Sequence, residues 1–172
     1  MKRLFIIRHA KSSWEWPDQD DFDRRLAPRG RRAAPLMGKY MRSLNYQPSV
    51  ALCSPTRRAL ETWRYIQNAL PCETVEEIQP KLYQPDPRAM FDLIREIDAG
   101  HPSTILVGHN PGVLTLSLGL IGRGVKSANP FGKYPTAALT VFDFDVDHWT
   151  DVRAGTGQLI GFTRPKELDS AA

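Results

Sequence analysis

Two histidines in this chain stand directly after short apolar segments. Residues 4–7 are followed by Arg8 and His9, and residues 104–107 lead through a glycine into His109. The planar guanidinium of arginine binds two phosphate oxygens at once and keeps its charge at neutral pH. A neutral imidazole can attack phosphorus without a separate base. These residue types therefore predict a site for a phosphoryl group with a nucleophile in reach.

A third apolar segment, residues 50–52, precedes a turn that reads Ser54-Pro55-Thr56-Arg57-Arg58-Ala59. The spacing predicts a helix capped by Ser54, with Pro55 at its first position, where a missing N–H does no harm. The free backbone N–H groups at the start of a helix attract anions, and the two arginines would reinforce that field. Ligands of open α/β sheets bind outside the carboxyl ends of the strands. We therefore expect these three segments to meet at one edge of a sheet.

The three segments resemble the histidine phosphatase superfamily, also called the phosphoglycerate mutase-like superfamily. Its markers are Arg-His-Gly after the first strand, Ser-x-x-x-Arg-Ala, and a later Gly-His. They stand here in this order as Arg8-His9-Ala10, Ser54-Pro55-Thr56-Arg57-Arg58-Ala59 and Gly108-His109, with alanine in place of the usual glycine at position 10. Residues 9–14, with the stretches 23–26 and 29–30 behind them, are similar to the short branch typified by SixA phosphohistidine phosphatase.

The resemblance implies roles for individual residues. His9 would be the nucleophile that forms a phosphohistidine intermediate, and Arg8, Arg58 and His109 would complete the phosphate pocket. Ser12 would donate its hydroxyl to the phosphate or the substrate. Arg57 and Arg24 are further candidates for substrate binding. Alternatively, Arg57 would be a cation at the surface, and Arg24 would form ion pairs with nearby aspartates.

A catalytic acid expected in much of this superfamily is missing. Mutases and many phosphomonoesterases carry a glutamate shortly before a Tyr-Gly pair, and the matching place here is near Pro80. Glu76 and Glu77 are close, but on a strand they would face opposite sides. An alkoxide leaving group needs a proton, whereas imidazole, with a reference pKa of about 6.5, leaves more readily. The absence of the acid therefore favours phosphohistidine as the substrate.

Composition limits the class of protein. The 172 residues, with a formal net charge of +4, fit a single domain over residues 1–172. No apolar run approaches the roughly 20 residues that span a bilayer, and the first apolar run ends at Arg8. We therefore expect a cytoplasmic protein without membrane association. Cys53 is expected to be a buried apolar residue, because a cysteine phosphatase would need an arginine six places later, where Ala59 stands.

The partners and cofactors follow from the same residues. Five arginines crowd the stretch 24–32, and they predict a solvated helix face or, alternatively, a contact with an acidic phosphorylated protein. No nucleic-acid motif or stacking platform accompanies them, so nucleic acid is not expected. No cofactor is expected, and a metal is disfavoured because the adjacent arginines would repel a divalent cation and no ligand spacing is present.

Strand and helix signals alternate along the chain, which predicts an α/β fold. The resemblance implies a three-layer sandwich with a mostly parallel central sheet flanked by helices. Leu36, Tyr40 and Leu44 form one helical stripe, with Pro35 starting a new segment or kinking the first turn. The other expected elements are a strand at 75–78, a helix from Asp86-Pro87 to Gly100, a strand at 104–107, a helix at 113–120, and a hairpin of 138–144 with 149–152.

The function that these observations favour is hydrolysis of phosphohistidine on a signalling protein, independent of metal. One alternative is a phosphatase of small phosphorylated molecules; a mutase is less suited, because the short chain leaves little to enclose a sugar phosphate. Another alternative is a non-catalytic module that binds phosphoproteins. The partner is accordingly a phosphohistidine-bearing protein or a small phosphorylated substrate, and the sequence does not give the oligomeric state.

Overall fold

The computed structural model describes residues 1–84, 86–122 and 129–169. Within them, six strands form one sheet, and five α-helices and three short 3₁₀ turns accompany it. The strands are β1 Lys2–Arg8, β2 Val50–Cys53, β3 Val75–Ile78, β4 Ser103–Gly108, β5 Leu139–Phe144 and β6 Gln158–Thr163. The helices are α1 Pro28–Ser43, α2 Arg57–Gln67, α3 Pro87–Arg95, α4 Gly112–Leu120 and α5 Pro165–Asp169, and the 3₁₀ turns are Asp21–Asp23, Pro80–Leu82 and Trp149–Asp151.

The strand order is β3-β2-β4-β1-β5-β6. The first four strands in this order pair in parallel, whereas β5 runs antiparallel to β1 and β6 antiparallel to β5. The mostly parallel sheet expected from the sequence is therefore confirmed. Because β1, β2 and β4 are parallel neighbours, their carboxyl ends lie at one edge of the sheet.

Both faces of the sheet are covered, as the alternation of side chains along β1 shows. Leu4 and Ile6 pack into a core that includes apolar residues of α3 and α4. Phe5 and Ile7 point the other way, into a core built with α1 and α2. All four side chains are fully buried, and each such burial is worth about 1.5–3 kcal/mol. The result is the three-layer α/β architecture that the resemblance implied.

Two glycines allow α1 to approach its neighbours closely. A Cβ atom at Gly30 would overlap the main-chain carbonyl of Lys11, in the loop that follows β1. A Cβ atom at Gly38 would lie 2.8 Å from the carbonyl oxygen of Ile66 in α2. The amide of Ala27 also donates to the Lys11 carbonyl at 2.8 Å, so α1 fixes the loop that carries the predicted nucleophile.

The prediction that Pro35 starts a new segment is wrong, because α1 runs through it from Pro28 to Ser43. Proline inside a helix removes one hydrogen bond, and packing of the buried face against the sheet and α2 compensates here. The predicted stripe is wrong at Leu44, which lies beyond the helix and is 44% exposed, whereas Tyr40 lies in the helix and packs against the core. The fully buried positions are Gly30, Ala34, Met37, Gly38 and Met41, and the two glycines and the alanine among them permit close contact.

Most elements of the second half are confirmed, with two corrections. Helix α3 begins as predicted, with the Asp86 side chain accepting from the Arg88 amide at 3.0 Å, but it ends at Arg95 rather than at Gly100. The predicted strand 149–152 is a 3₁₀ turn, and the hairpin partner of β5 is β6. Trp149 explains the difference, since its ring is fully buried and donates to the carbonyl of His101 at 2.8 Å.

Over the described part of the chain, no helix is both long and apolar enough to cross a membrane.

Candidate active site

The ends of the three central strands are joined by backbone hydrogen bonds. The amide of His9, just after β1, donates to the carbonyl of Gly108 at the end of β4 at 2.9 Å. The amide of Ser54, just after β2, donates to the carbonyl of Val107 at 3.0 Å. The rings of His9 and His109 consequently lie with their centroids 5.0 Å apart. The sheet thus brings together the segments that the sequence analysis singled out.

The imidazole of His9 is held in one orientation. Its Nδ1 atom lies 2.7 Å from the carbonyl oxygen of Ala10, and because a carbonyl can only accept, Nδ1 carries the proton. The lone pair of the ring is then on Nε2. Ala10 is itself held in place, because its amide donates to the Thr62 hydroxyl at 2.9 Å. That hydroxyl in turn donates to the Arg58 carbonyl at 2.6 Å.

The surroundings of His9 keep it neutral. Only 8% of the residue is exposed. Its pKa is lowered to about 3, chiefly by burial and also by the nearby His109, Arg58 and Arg8, while the hydrogen bond to Ala10 opposes the lowering. An unprotonated Nε2 at neutral pH is what a nucleophile requires.

His109 is held from the opposite side of the pocket. Its Nε2 atom lies 2.7 Å from the Ser54 hydroxyl and 3.4 Å from the Thr56 hydroxyl. Its Nδ1 atom is buried and has no hydrogen-bond partner among the residues that the structure describes. Burial lowers the pKa of His109 to about 4; Arg58 contributes to the lowering and Asp21 opposes it.

The helix cap predicted for Ser54 is wrong. Helix α2 begins at Arg57, preceded by Thr56, and neither Ser54 nor Pro55 belongs to it. The hydroxyl of Ser54 contacts His109 instead of a helix amide. A serine at a strand end is equally suited to orienting a histidine, and the local sequence does not separate the two roles.

Arg8 enters the pocket from the end of β1. Its Nη1 atom donates to the carbonyl of Tyr134 at 2.9 Å, and its buried Nε has no partner among the described residues. Tyr134 is an anchor for this part of the site, since it is buried and its hydroxyl donates to the carbonyl of Ile6 at 3.0 Å. Burial lowers the pKa of Arg8, yet a guanidinium stays charged at neutral pH.

Arg57 and Arg58, adjacent in the first turn of α2, point in different directions. Arg58 is buried, and its Nη2 atom donates to a carboxylate oxygen of Asp21 at 2.9 Å while Nη1 donates to the Asp21 carbonyl. Arg57 is exposed and pairs with Glu61 one turn later, at 2.8 Å. The structure therefore brings Arg58 to the pocket and does not bring Arg57 there.

Arg24 and Ser12 form a second layer beside Arg58. Arg24 is buried and donates to the Ser12 hydroxyl, to the other carboxylate oxygen of Asp21 at 2.9 Å, and to the Ser13 carbonyl at 3.2 Å. Since a guanidinium only donates, the Ser12 oxygen accepts and its own hydrogen is available to a further acceptor. Trp14 lies on the guanidinium of Arg24, whose Cζ is 3.4 Å from the ring centroid.

Sequence reasoning missed the importance of three residues at the rim. The sequence presents Asp21 as one of several aspartates that could pair with Arg24 or act as a hidden acid, whereas its carboxylate bridges Arg24 and Arg58. Phe22 and Tyr83 were not singled out, yet the Tyr83 ring lies 6.5 Å from that of His109 and 5.2 Å from that of Phe22. The spacing of three between Asp21 and Arg24 is the one signal that could have indicated the bridge.

The segment where a catalytic glutamate was sought does border the pocket. Pro80 lies in a 3₁₀ turn whose last residue, Leu82, is buried, and Tyr83 follows. Glu76 and Glu77 lie on the exposed edge strand β3. Among the carboxylates of the described residues, only Asp21 hydrogen-bonds to Arg8, Arg24 or Arg58, and both of its oxygens are engaged by arginines.

Cys53 takes no part in this chemistry. It is fully buried in the core beside α1 and α2, as predicted, and burial raises the pKa of its thiol. Within the described ranges, no three His, Cys, Asp or Glu side chains are grouped so as to hold a metal ion.

The arrangement is suited to one chemical task. Two arginines and a histidine with an unpartnered buried nitrogen surround a neutral imidazole whose lone pair is on Nε2. The two charged guanidinium groups, together with the polar ring nitrogen of His109, can stabilise the spread charge of a phosphoryl group during transfer. The pocket can therefore bind a tetrahedral oxyanion and present a nitrogen nucleophile to it.

Comparison with known proteins agrees with this chemistry. The family model described as histidine phosphatase superfamily (branch 1) matches residues 4–81. The uncharacterized protein ML1117 of Mycobacterium leprae (strain TN) is 31% identical over 166 residues, which cover 93% of this chain and 100% of that protein. The uncharacterized protein Rv1276c of Mycobacterium tuberculosis (strain H37Rv) is 32% identical over 165 residues, with the same coverage.

Solved structures show the same fold. A crystal structure of a candidate phosphohistidine phosphatase SixA from Agrobacterium tumefaciens has a TM-score of 0.82 and 27% identity, covering 95% of this chain and 98% of the other. The protein histidine phosphatase SixA complexed with tungstate has a TM-score of 0.75 at 23% identity, covering 96% and 99%. With its motifs, its fold and these relatives, the chain belongs to the histidine phosphatase superfamily, on the SixA-like branch, and is a phosphatase.

Proposed function

We propose that this phosphatase hydrolyses phosphohistidine on a signalling protein, through a phosphohistidine intermediate on His9 and without a metal ion. The observation that carries the proposal is the hydrogen bond from Nδ1 of His9 to the Ala10 carbonyl. It places the lone pair on Nε2, at the end of a strand that also delivers Arg8. The likeness to SixA proteins supports the same choice of substrate.

In the first step, Nε2 of His9 attacks the phosphorus atom of the substrate and forms a P–N bond. The ring of the substrate phosphohistidine carries a proton on its other nitrogen, so when the bond from phosphorus to the ring nitrogen breaks and its electron pair stays on that nitrogen, the ring leaves as neutral imidazole. Arg8 and Arg58 bind the phosphoryl oxygens, together with the hydroxyl hydrogen of Ser12. When the Ser54 hydroxyl donates to Nε2 of His109, Nδ1 carries the proton of that ring and donates to a phosphoryl oxygen as well. In the second step, water attacks the phosphorus, the P–Nε2 bond breaks and its electron pair returns to Nε2. The protons of the water leave with the inorganic phosphate, and His9 is again neutral with its proton on Nδ1.

The leaving group decides whether this pocket needs an acid. The ring departs as neutral imidazole, whose conjugate acid has a reference pKa of about 6.5, so it can leave with little help. Alkoxides are much stronger bases than imidazole, so they are poorer leaving groups and need a proton donor. Asp21 is a poor candidate for that donor, because both its carboxylate oxygens accept hydrogen bonds from guanidinium groups. The site is accordingly matched to a phosphorylated nitrogen.

A series of leaving groups tests the proposal. We expect kcat/KM at constant pH to be highest for a phosphohistidine peptide, lower for an activated aryl phosphate, and very low for phosphoserine. Turnover of alkyl phosphates as fast as phosphohistidine would show that an acid acts in the pocket and would favour a small-molecule phosphatase. Binding of the phosphopeptide without any turnover would favour the non-catalytic module.

A further inference from the structure

A groove of about 340 Å³ lies between α1 and α2, beside the pocket and outside it. Seven residues line it, and four of them are arginines: Arg25, Arg31, Arg57, Arg64, Glu61, Tyr65 and Asn68. The groove gathers two sets of arginines that are separate in the sequence, one from the basic stretch 24–32 and one from α2. The phosphatase chemistry uses none of these four.

The groove leads to the mouth of the active site. A second concave region shares Arg57, Glu61 and Arg64 with it and extends to Phe22 and Pro55. The ring of Phe22 contacts Tyr83, whose ring in turn faces His109. A chain lying in the groove could therefore continue past this aromatic rim and reach the pocket.

The charges in the groove are only partly balanced. Glu61 is fully engaged, since it accepts from Arg57 at 2.8 Å and from the amide of Leu26 at 2.8 Å. Arg25 makes a long pair with Glu15 at 3.8 Å. Arg31 and Arg64 are exposed and have no ion pair or side-chain hydrogen bond within the described parts of the chain. Repulsion between like charges lowers the stability of the fold, and an anionic partner bound in the groove would relieve this repulsion.

We infer that this arginine groove binds an acidic segment of the protein that carries the phosphorylated side chain. The identity of the occupant as substrate rests on the function proposed above. Charge complementarity favours glutamate- or aspartate-rich peptide, because arginine pairs with carboxylates in a bidentate manner. Asp23 and Glu61 line the adjoining concave region. A nucleic acid carries a negative charge on every nucleotide and would be repelled by these carboxylates, whereas a peptide can place uncharged residues beside them.

The test uses two synthetic peptides with the same phosphohistidine centre, one flanked by glutamates and one by glutamines. We expect kcat/KM for the acidic peptide to be about tenfold higher, chiefly through KM, at low ionic strength. The advantage should fall to less than about threefold in the double variant Arg31→Ala/Arg64→Ala, with the rate for the neutral peptide little changed. The variant Lys39→Ala/Arg42→Ala removes the same charge from exposed positions of α1 outside the groove and should keep the advantage.

A binding measurement separates this inference from the proposed function. A fluorescent glutamate-rich peptide without phosphohistidine should bind to the wild type and to the Lys39/Arg42 control, and lose at least about fivefold in affinity in the Arg31/Arg64 variant. This result supports the groove even if neither phosphopeptide is hydrolysed. Equal affinity of all three proteins would overturn the inference, as would tighter binding of a single-stranded oligonucleotide through the same two arginines.

Discussion

The carboxylate of Asp21 accepts a hydrogen bond of 2.9 Å from Nη2 of Arg58, and the main-chain carbonyl of Asp21 accepts from Nη1 of the same guanidinium. One residue thus contacts both terminal nitrogens of a pocket arginine. Its remaining carboxylate oxygen binds Arg24 at 2.9 Å. Asp21 is therefore placed to position arginines at the rim, and not to protonate a leaving group.

The variant Asp21→Asn distinguishes these two roles. We expect kcat/KM to fall by less than about tenfold, and by the same factor for phosphohistidine, an aryl phosphate and phosphoserine, since a held arginine serves every phosphoryl group alike. The measurement is the ratio of kcat/KM values across the three substrates. A loss concentrated on phosphoserine would instead identify Asp21 as the acid.

Substitution of the arginines one at a time tests the pocket. Each charge-assisted hydrogen bond to the transferring group is worth about 1.5–3 kcal/mol, so Arg8→Ala and Arg58→Ala should each lower kcat/KM by roughly ten- to a hundredfold or more. Arg57→Ala, assayed with a phosphohistidine peptide that has no acidic flanks, is the matched control, because the Arg57 side chain pairs with Glu61 at the surface. Equal, small losses in all three variants would contradict the pocket described here.

The residues of the site were easier to predict from the sequence than the loops and helices around them, and particular residues show why. His9 and His109 follow short apolar segments that are typical of buried parallel strands, and parallel neighbours place such residues at one edge of the sheet. The contacts of Asp21 depend on the path of an irregular loop, which no periodic pattern specifies. Pro35 misled because tertiary packing outweighs the local cost of a proline. Trp149 misled because an aromatic residue that favours strands is equally suited to filling a core.

The two buried imidazoles make stability depend on pH in a defined direction. The pKa values of His9 and His109 are lowered to about 3 and about 4 from a reference of about 6.5. Between these values the unfolded chain binds more protons than the folded one, so the free energy of unfolding falls as the pH falls through that window. Above the unfolded-state pKa of about 6.5 both states hold these histidines neutral, so this loss of stability is absent there.

The variant His9→Gln removes one of these groups. Relative to the wild type, its free energy of unfolding should improve by about 2 kcal/mol between about pH 6.5 and about pH 5, because each pKa unit corresponds to about 1.4 kcal/mol. Denaturant unfolding at both pH values provides the comparison, and constant effects of the substitution cancel in it. Parallel pH dependence of the two proteins would mean that His9 is not buried in its neutral form.

Inhibitors distinguish the proposed mechanism from a metal-dependent one. Vanadate or tungstate should occupy the pocket of Arg8, Arg58 and His109 and inhibit competitively, because the two guanidinium groups bind oxyanions. Metal chelators should leave kcat/KM unchanged. Activity that disappears with a chelator and returns on addition of a divalent cation would contradict the proposal.

Trapping of the phospho-enzyme tests the central claim, that His9 is the nucleophile. Rapid quenching during turnover of a radiolabelled phosphohistidine substrate should yield labelled protein that is stable in base and labile in acid, with the label on His9. His9→Ala should lose both labelling and turnover while its circular dichroism and unfolding transition show an intact fold; Arg57→Ala should label as the wild type does. Undiminished turnover by folded His9→Ala protein, or label on another residue, would contradict the account.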